Sequence, residues 1–216
     1  MKYWKYYLLA LLVIVIDQMV KWAVHTYMQP GMPGEIPLLG DWFKLHYTLN
    51  PGMAFGVELP PPYGKILLTT FRLIAVSGIA YYIYRLWKSG APKGLIWCVG
   101  AILGGAIGNL IDSIGYGKIY DNAPFGAPTP WFHGQVIDMF YLDLYEGFLP
   151  ASWPLIGNMH VSLWPIFNVA DAAIFLGVVF ILINQSKFFQ HHEERKHVHQ
   201  PEPSQHRPDA EAAEVA

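Results

Sequence analysis

Three of the four long apolar segments in this chain carry a pair of polar side chains at helical spacing. Each pair combines a carboxylate with an amide or a lysine: Asp17 with Lys21, Asn109 with Asp112, and Asn168 with Asp171. A charge in the hydrocarbon of a bilayer costs about 2.5 kcal/mol or more, so the charges found there usually serve a function. The three pairs therefore predict a polar site inside a membrane.

The spacing also predicts how the two members of each pair act together. Residues three or four apart lie on one face of a helix. Asn109 and Asn168 can therefore each orient a carboxylate without adding a further charge. Asp17 and Lys21 suit an ion pair, and the long side chain of Lys21 is expected to reach toward the outer headgroups.

The composition indicates contact with lipid. Of the 216 residues, 53% are hydrophobic and 14% are charged, and the mean hydropathy is +0.27. Soluble domains carry about 25% charged residues. The net charge of -2 gives no indication of a nucleic acid partner. Four stretches provide the roughly 20 apolar residues that a transmembrane helix needs: residues 3–24, 65–87, 93–112 and 164–185.

Basic residues cluster at one end of every predicted helix, which is usually the cytoplasmic end. They are Lys2, Lys5, Arg85, Lys88, Lys93, Lys187, Arg195 and Lys196. Both termini are therefore predicted to be cytoplasmic, in a mainly α-helical membrane domain of residues 1–189 with four transmembrane helices. Polar residues 190–216 are predicted to form a disordered cytoplasmic tail, whose histidines are expected to be solvated and not to bind a metal.

The ionisable groups are predicted to meet at one level of the membrane. At 1.5 Å per residue, Asp17 lies about 20 Å from the cytoplasmic start of the first helix, and Arg72 roughly 10 Å from the outer end of the second. The pair on the third helix lies at its outer end, and the pair on the fourth at its outer start. Gly100, Gly104 and Gly108 have the spacing that favours close helix packing.

Two outer segments are predicted to be strands. Residues 43–50 have strand character and end at Asn50, before a Pro-Gly turn that includes Gly52. Residues 135–143 read as a second strand, which carries Asp138. Together they predict a small β-rich cradle on the extracytoplasmic surface of the membrane.

Five short segments of this chain occur in the order found in one enzyme family. They are Asp17-Gln18 with Lys21, Asn50-Pro51-Gly52-Met53-Ala54-Phe55-Gly56, Gly108-Asn109-Leu110-Ile111-Asp112, Val136-Ile137-Asp138-Met139-Phe140 and Phe167-Asn168-Val169-Ala170-Asp171. In these motifs the chain resembles the lipoprotein signal peptidase (signal peptidase II) family over about residues 6–185. The resemblance implies an aspartic endopeptidase of the bacterial cytoplasmic (inner) membrane that removes signal peptides from prolipoproteins, before the diacylglyceryl-modified cysteine.

The resemblance also implies roles for individual residues. Asp138 and Asp171 match the catalytic pair of the family. The residues that match positions lining or supporting the site are Asn50, Gly52, Asn109, Asp112 and Asn168, and Asp17, beside Lys21, matches a structural acid. The expected partners are prolipoprotein substrates and membrane lipids; no cofactor or metal is expected, and the chain is expected to act as a monomer.

A pair of aspartates suits this chemistry. Hydrolysis of a peptide bond without a metal needs a base to activate water and an acid to protonate the leaving amine. Two close carboxyl groups that share one proton supply both, because their repulsion drives the two pKa values apart. Since such titrations are coupled, Asp138 and Asp171 are assigned their roles jointly.

Two departures from the family pattern stand out. The family usually has an arginine directly after the third-helix aspartate, where this chain has Ser113. Arg72 is hypothesised to supply the missing charge. Residues 113–135 and 143–163 form longer loops than the family usually has, and they are expected to alter access of the substrate more than chemistry.

Other functions fit the sequence less well. A cation-coupled transporter should carry its polar groups near the midplane and show repeat symmetry, and a receptor or assembly protein would not need two acids on separate elements. A metallopeptidase is disfavoured because no His-Glu-x-x-His pattern occurs. Cys98 is not expected to be a nucleophile, since buried thiols are usually inert. Asp143 and Glu146 are expected to be solvated loop acids.

Overall fold

A computed structural model describes residues 3–52, 63–144, 146–148, 160–162 and 164–188, together with residues 150 and 152. Three parts of the sequence considered above fall outside the described residues. They are the Met53–Gly56 part of the second motif, most of the 143–163 segment, and the predicted tail 190–216.

The structure is mostly helical. Its helices are α1 (Trp4–Tyr27), α2 (Gly64–Lys88), α3 (Lys93–Ile111), the short α4 (Gly117–Ile119) and α5 (Val169–Ile183). A π-helical turn, Asp112–Tyr116, continues α3 into α4, and a 3-10 turn, Met32–Gly34, precedes the first strand. Among the described residues, α1, α2 and the α3–α4 unit are long and apolar enough to cross a membrane, and α5 is a shorter apolar helix.

The observed helix bounds confirm the first three predicted segments and correct the fourth. The helix predicted from residue 164 begins only at Val169. Phe167 instead forms a β-bridge with Phe140. Asn168 then caps the helix, because its side chain accepts the backbone N–H of Asp171 while the Asp171 side chain accepts the N–H of Asn168. The first and third helices run a few residues beyond their predicted ends.

Close contact between helices depends on glycine, as the spacing predicted. A Cβ added to Gly104 would lie 2.7 Å from the carbonyl oxygen of Ala10 on α1. Gly100 and Gly108 also face α1, and a Cβ on Gly108 would lie 2.7 Å from the Asp17 carboxylate. Helix α3 therefore packs backbone to backbone against α1, and its polar side chains reach those of its neighbour.

The strands form two small antiparallel sheets. The first contains β1 (Ile36–Leu39), β2 (Phe43–Asn50) and β3 (Val136–Leu142) in that order, and the second pairs β4 (Glu146–Phe148) with β5 (His160–Ser162). The register of β2 against β3 places Thr48 opposite Asp138 and Asn50 opposite Val136. The predicted strands at 43–50 and 135–143 are thus confirmed, and the site residues at positions 50 and 138 lie on neighbouring strands.

Two apolar clusters lie on either side of the polar residues of α1. The first joins α1, α2 and α3 and is made of Tyr6, Ala10, Ile83, Leu86, Leu95, Ile96, Val99 and Leu103. The second joins the C-terminal end of α1 to the sheet and the π-turn and is made of Val24, Tyr47, Tyr116, Ile137 and Met139. Asp17 and Lys21 lie on α1 between the two clusters. The polar residues are therefore enclosed by packed apolar side chains along the helix axis.

Replacing Gly104 by alanine is expected to destabilise the fold, because the added methyl group collides with the backbone of α1. Overpacking of this kind costs roughly 1–3 kcal/mol. Gly78 on α2 is the matched control, since a Cβ there meets nothing within 4 Å. Thermal unfolding in detergent should show a lower midpoint for Gly104→Ala and an unchanged or higher midpoint for Gly78→Ala. Equal midpoints would contradict the proposed close contact.

Candidate active site

The predicted site residues come together at one place in the fold. Helix α1 contributes Asp17 and Lys21, and α3 with its π-turn contributes Asn109 and Asp112. The start of α5, the sheet and α2 contribute the rest: Asn168, Asp171, Asn50, Asp138 and Arg72, with Gly52 at the edge. Polar side chains from helices that are far apart in sequence thus share one hydrogen-bond network, as expected from their positions along the predicted helices.

Lys21 lies at the centre of a buried ion cluster. Its Nζ lies 2.8 Å from Oδ2 of Asp17 and 2.6 Å from Oδ2 of Asp112, and it donates to Oδ1 of Asn109 at 3.0 Å. All three charged side chains are fully buried. The expectation that Lys21 reaches toward the headgroups is therefore wrong. It points inward because two buried carboxylates there need a counter-charge.

Asp17 also holds the start of α5. Its Oδ1 accepts the backbone N–H of Ala170 at 2.9 Å, one of the first-turn amides that have no partner inside the helix. A carboxylate at a helix N-terminus is further favoured by the helix dipole. One aspartate therefore connects α1 to α5 while Lys21 connects α1 to the π-turn.

Gln18 and Tyr116 complete this cluster; in the sequence Gln18 stood out only as part of a motif, without a role, and Tyr116 was not indicated. The Gln18 side-chain amide donates to Oδ1 of Asp112 at 2.8 Å, and its carbonyl accepts the Tyr116 hydroxyl at 2.9 Å. The position of the Gln18 amide beside Asp17, within an apolar helix, could have indicated that it belongs to the site. Tyr116 gave no such signal, since its role depends on the π-turn that points it toward α1.

Asp138 and Asp171 are joined through the side chain of Asn168. Oδ1 of Asp138 accepts from Nδ2 of Asn168 at 2.6 Å, and its Oδ2 accepts from Nδ2 of Asn50 at 3.0 Å. Asn168 is also the cap of α5, whose third residue is Asp171. The Asn168 side chain therefore orients the Asp138 carboxyl and the backbone of Asp171, while the Asn168 backbone N–H donates to Oδ2 of Asp171 at 3.4 Å.

Asn109 links this aspartate pair to the ion cluster. Its Nδ2 donates to Oδ1 of Asp171 at 2.7 Å. Its Oδ1 accepts from Lys21 Nζ at 3.0 Å and from Asn168 Nδ2 at 3.2 Å. Charged partners and Asn168 consequently fix both bonds that the Asn109 carbonyl accepts and the bond that its NH2 group donates to Asp171.

Burial and, second, the nearby charge of Asp171 raise the pKa of the Asp138 carboxyl to about 7. Hydrogen bonds from Asn50 and Asn168 and the charge of Lys21 oppose this rise. Asp138 is 2% exposed. At neutral pH the aspartate pair therefore retains a proton on a substantial fraction of molecules, and the arrangement can both accept and donate a proton.

Arg72 reaches the position where the resembling family carries its arginine. Its Nη1 donates to the Ser113 hydroxyl at 2.8 Å, and that hydroxyl donates to the Asn109 carbonyl at 2.9 Å. The Arg72 charge also interacts with the carboxylates of Asp171, Asp112 and Asp138. This geometry supports the hypothesis that Arg72 replaces the missing arginine, which stays a prediction.

The turn after β2 is arranged by Asn50. Its Oδ1 accepts the backbone N–H of Gly52 at 2.8 Å, while its Nδ2 binds Asp138. Gly52 has a φ of +98°, a conformation that side chains with a Cβ rarely adopt. The glycine is thus needed for the turn that holds Asn50 in place.

The remaining candidate acids and thiol lie outside this network. Asp143 pairs with Lys44 at 2.8 Å and is partly exposed, and Glu146 lies in β4 with its side chain outside the described part of the structure. Cys98 is a buried free thiol on α3. Within the described ranges, no three His, Cys, Asp or Glu side chains are grouped as metal ligands would be.

Comparison with known proteins identifies the family. A sequence model of the signal peptidase (SPase) II family matches residues 9–187. The chain is 53% identical over 190 residues to the lipoprotein signal peptidase of Amoebophilus asiaticus, covering 88% of this chain and 80% of that protein. It is 37% identical over 186 residues to the lipoprotein signal peptidase of Porphyromonas gingivalis, with coverages of 81% and 80%.

A solved structure described as a bacterial membrane enzyme shares the fold. Its TM-score is 0.55 at 21% sequence identity, and the match covers 85% of this chain and 88% of that chain. With its long apolar helices, this chain is a multi-pass membrane protein. The transporter and receptor alternatives are set aside, because the ordered motifs and the family match agree. The chain belongs to the signal peptidase II family and is an aspartic peptidase.

Proposed function

We propose that this chain removes the signal peptide from prolipoproteins by cleaving before the diacylglyceryl-modified cysteine. The observation that carries the proposal is the pair formed by the buried Asp138 and the half-buried Asp171, whose carboxyl groups accept from the side chains of Asn168 and Asn109 respectively. The curated relatives in the comparison are lipoprotein signal peptidases. The substrate of this chain is inferred from them.

Asp138 and Asp171 act together on one water molecule and one peptide bond. The deprotonated carboxylate takes a proton from water, whose oxygen attacks the carbonyl carbon. The protonated carboxyl then gives its proton to the leaving nitrogen as the C–N bond breaks. The products are a carboxyl group on the signal peptide and an amine on the cysteine, and the roles within the pair are joint because the two groups titrate together.

The amide side chains around the pair prepare it for this reaction. Asn50, Asn109 and Asn168 hold the carboxyl oxygens by hydrogen bonds of 3.0, 2.7 and 2.6 Å. Fixed donors of this kind need no rearrangement during the reaction. We assign these three asparagines the role of orienting the aspartate pair. Gly52 maintains the turn that positions Asn50, and Asp112 balances the charge of Lys21.

The location of the site suits a substrate held in the bilayer. The apolar signal peptide can lie between the helices, and its diacylglyceryl chains can remain in lipid. Helical residues 185–188 follow α5, which brings this helix to about 20 residues, the roughly 30 Å that a bilayer core requires. We therefore propose four transmembrane helices in the bacterial inner membrane, with both termini cytoplasmic, the site on the extracytoplasmic side, and a monomer as the working unit.

Asp138→Asn and Asp171→Asn are each expected to lower cleavage of a diacylglyceryl-modified prolipoprotein by at least about 100-fold, since general acid–base catalysis contributes that much or more. The assay uses purified protein in detergent with a chelator present. Asp143→Asn is the control, because Asp143 pairs with Lys44 on the sheet surface. Folded Asp138→Asn or Asp171→Asn protein with near wild-type activity would remove that residue from the pair.

The rate is expected to fall as the pH rises through about 7. Above the raised pKa of Asp138 the pair loses its shared proton, so kcat/KM should drop about tenfold per pH unit on the alkaline side. Asn50→Ala removes a hydrogen bond that lowers this pKa, and the fall should therefore move to higher pH. A pH profile of kcat/KM from pH 5 to 9 checks both; a shift to lower pH in the variant would refute the assigned role of Asn50.

Lys21→Met is expected to destabilise the protein by about 3–5 kcal/mol, the usual cost of leaving buried charges without their partner. Adding Asp112→Asn should recover part of the loss, because one of the two stranded carboxylates is then neutral. Lys118→Met serves as the control at an exposed lysine. Chemical unfolding in detergent measures all four proteins, and a Lys21→Met variant as stable as Lys118→Met would contradict the structural role of Lys21.

A further inference from the structure

Lys65 carries a buried ammonium group that has no hydrogen-bond partner within the described part of the chain. It is the second residue of α2, at the outer end of a helix that is apolar enough to span a membrane. A buried charge without a partner is costly in a protein and more so at membrane depth. Neither Asp138 nor Asp171 bonds to it, and the mechanism described above does not use it.

The surroundings of Lys65 add positive charge. The N-terminus of a helix carries a partial positive charge from its aligned peptide dipoles. The first turn of α2 contains no acidic residue, and no side chain caps it. The start of α2 therefore favours an anion, and the buried ammonium of Lys65 marks where that anion would lie.

A second cation faces the same point. A Cβ placed on Gly52 would lie 3.1 Å from Nζ of Lys65 and 3.4 Å from Nη1 of Arg72, so both groups flank one backbone turn. The two residues are seven apart on α2 and lie on the same face. Arg72 already donates to Ser113, whereas Lys65 has all of its donors free among the described residues.

This cationic pair lies next to the aspartates. The backbone N–H of Gly52 donates a hydrogen bond to the Asn50 side chain, which in turn donates one to the Asp138 carboxyl. The charge of Arg72 acts on both Asp138 and Asp171. An anionic group formed at the aspartate pair would therefore be repelled by the two aspartates and attracted by Lys65 and Arg72 on α2.

We propose that Lys65, together with Arg72, binds the carboxylate that hydrolysis creates at the C-terminus of the signal peptide. The inference rests on the proposed function. The substrate presents a neutral carbonyl at this position, and addition of water with loss of the C–N bond converts it into an acid that loses its proton. The aspartate pair repels that new charge, and Lys65 receives it.

The test is binding of two synthetic signal peptides to the full chain in detergent. The peptides are identical except that one ends in a free carboxylate and the other in a carboxamide. Wild-type protein should bind the acid roughly tenfold more tightly, as one charge-assisted contact predicts. Lys65→Met should remove this preference and Lys65→Arg should keep it, while Lys44→Met, a change on the sheet surface, should leave it intact.

The outcomes separate this inference from the proposed function. Equal binding of acid and amide by the wild type, or a full preference in folded Lys65→Met, overturns the role of Lys65. A lipid phosphate is the alternative anion. In that case wild-type protein, but not Lys65→Met, should be more stable in nanodiscs of phosphatidylglycerol than of phosphatidylcholine, and the two peptides should bind equally. That result would show the proposal to be wrong. Because peptide binding is measured without cleavage, failure to hydrolyse a prolipoprotein would count only against the proposed function. Should Lys65→Met not fold, equal binding of the two peptides by the wild type would still overturn the proposal.

Discussion

The rest of the structure depends on the buried contact of Lys21 with Asp17 and Asp112. Three charges enclosed by apolar side chains are tolerable only where each has its partner at short range. The contact therefore determines how α1 is rotated against α3. Through the bond from Ala170 to Asp17, it also determines where α5 begins. A single interaction thereby sets the relative positions of three helices that carry the site.

Amide side chains connect this ion cluster to Asp138 and Asp171, the proposed reacting groups. Asn109 accepts from Lys21 and donates to Asp171, and Asn168 donates to Asp138 while capping the helix of Asp171. Amide side chains orient the carboxyl groups without adding charge, so the aspartate pair keeps the mutual repulsion that the proposed reaction requires. The same repulsion is the reason for the proposed role of the cations on α2 in binding the third carboxylate that hydrolysis forms.

Close approach of backbones makes these short contacts geometrically attainable. Gly104 and Gly108 bring α3 against α1, and the β-bridge between Phe140 and Phe167 brings the strand of Asp138 against the start of α5. Helices in lipid associate through packing and polar contacts and gain little from the hydrophobic effect. Small residues and buried polar bonds are therefore the main means by which the apolar helices of this protein are held together.

The sequence by itself determined the features that depend on local spacing. Helical periodicity placed the polar pairs on single faces, alternation indicated the strands around Asn50 and Asp138, and the ordered motifs indicated the family. Only the tertiary structure decided which partner each side chain meets: Lys21 turns inward, Arg72 reaches Ser113, and Lys65 is left facing Gly52. The delayed start of α5 likewise followed from a bridge to a strand some 27 residues away in the chain. Spacing along one helix is a local property, whereas partners on other elements depend on how the helices rotate and pack, which no single segment encodes.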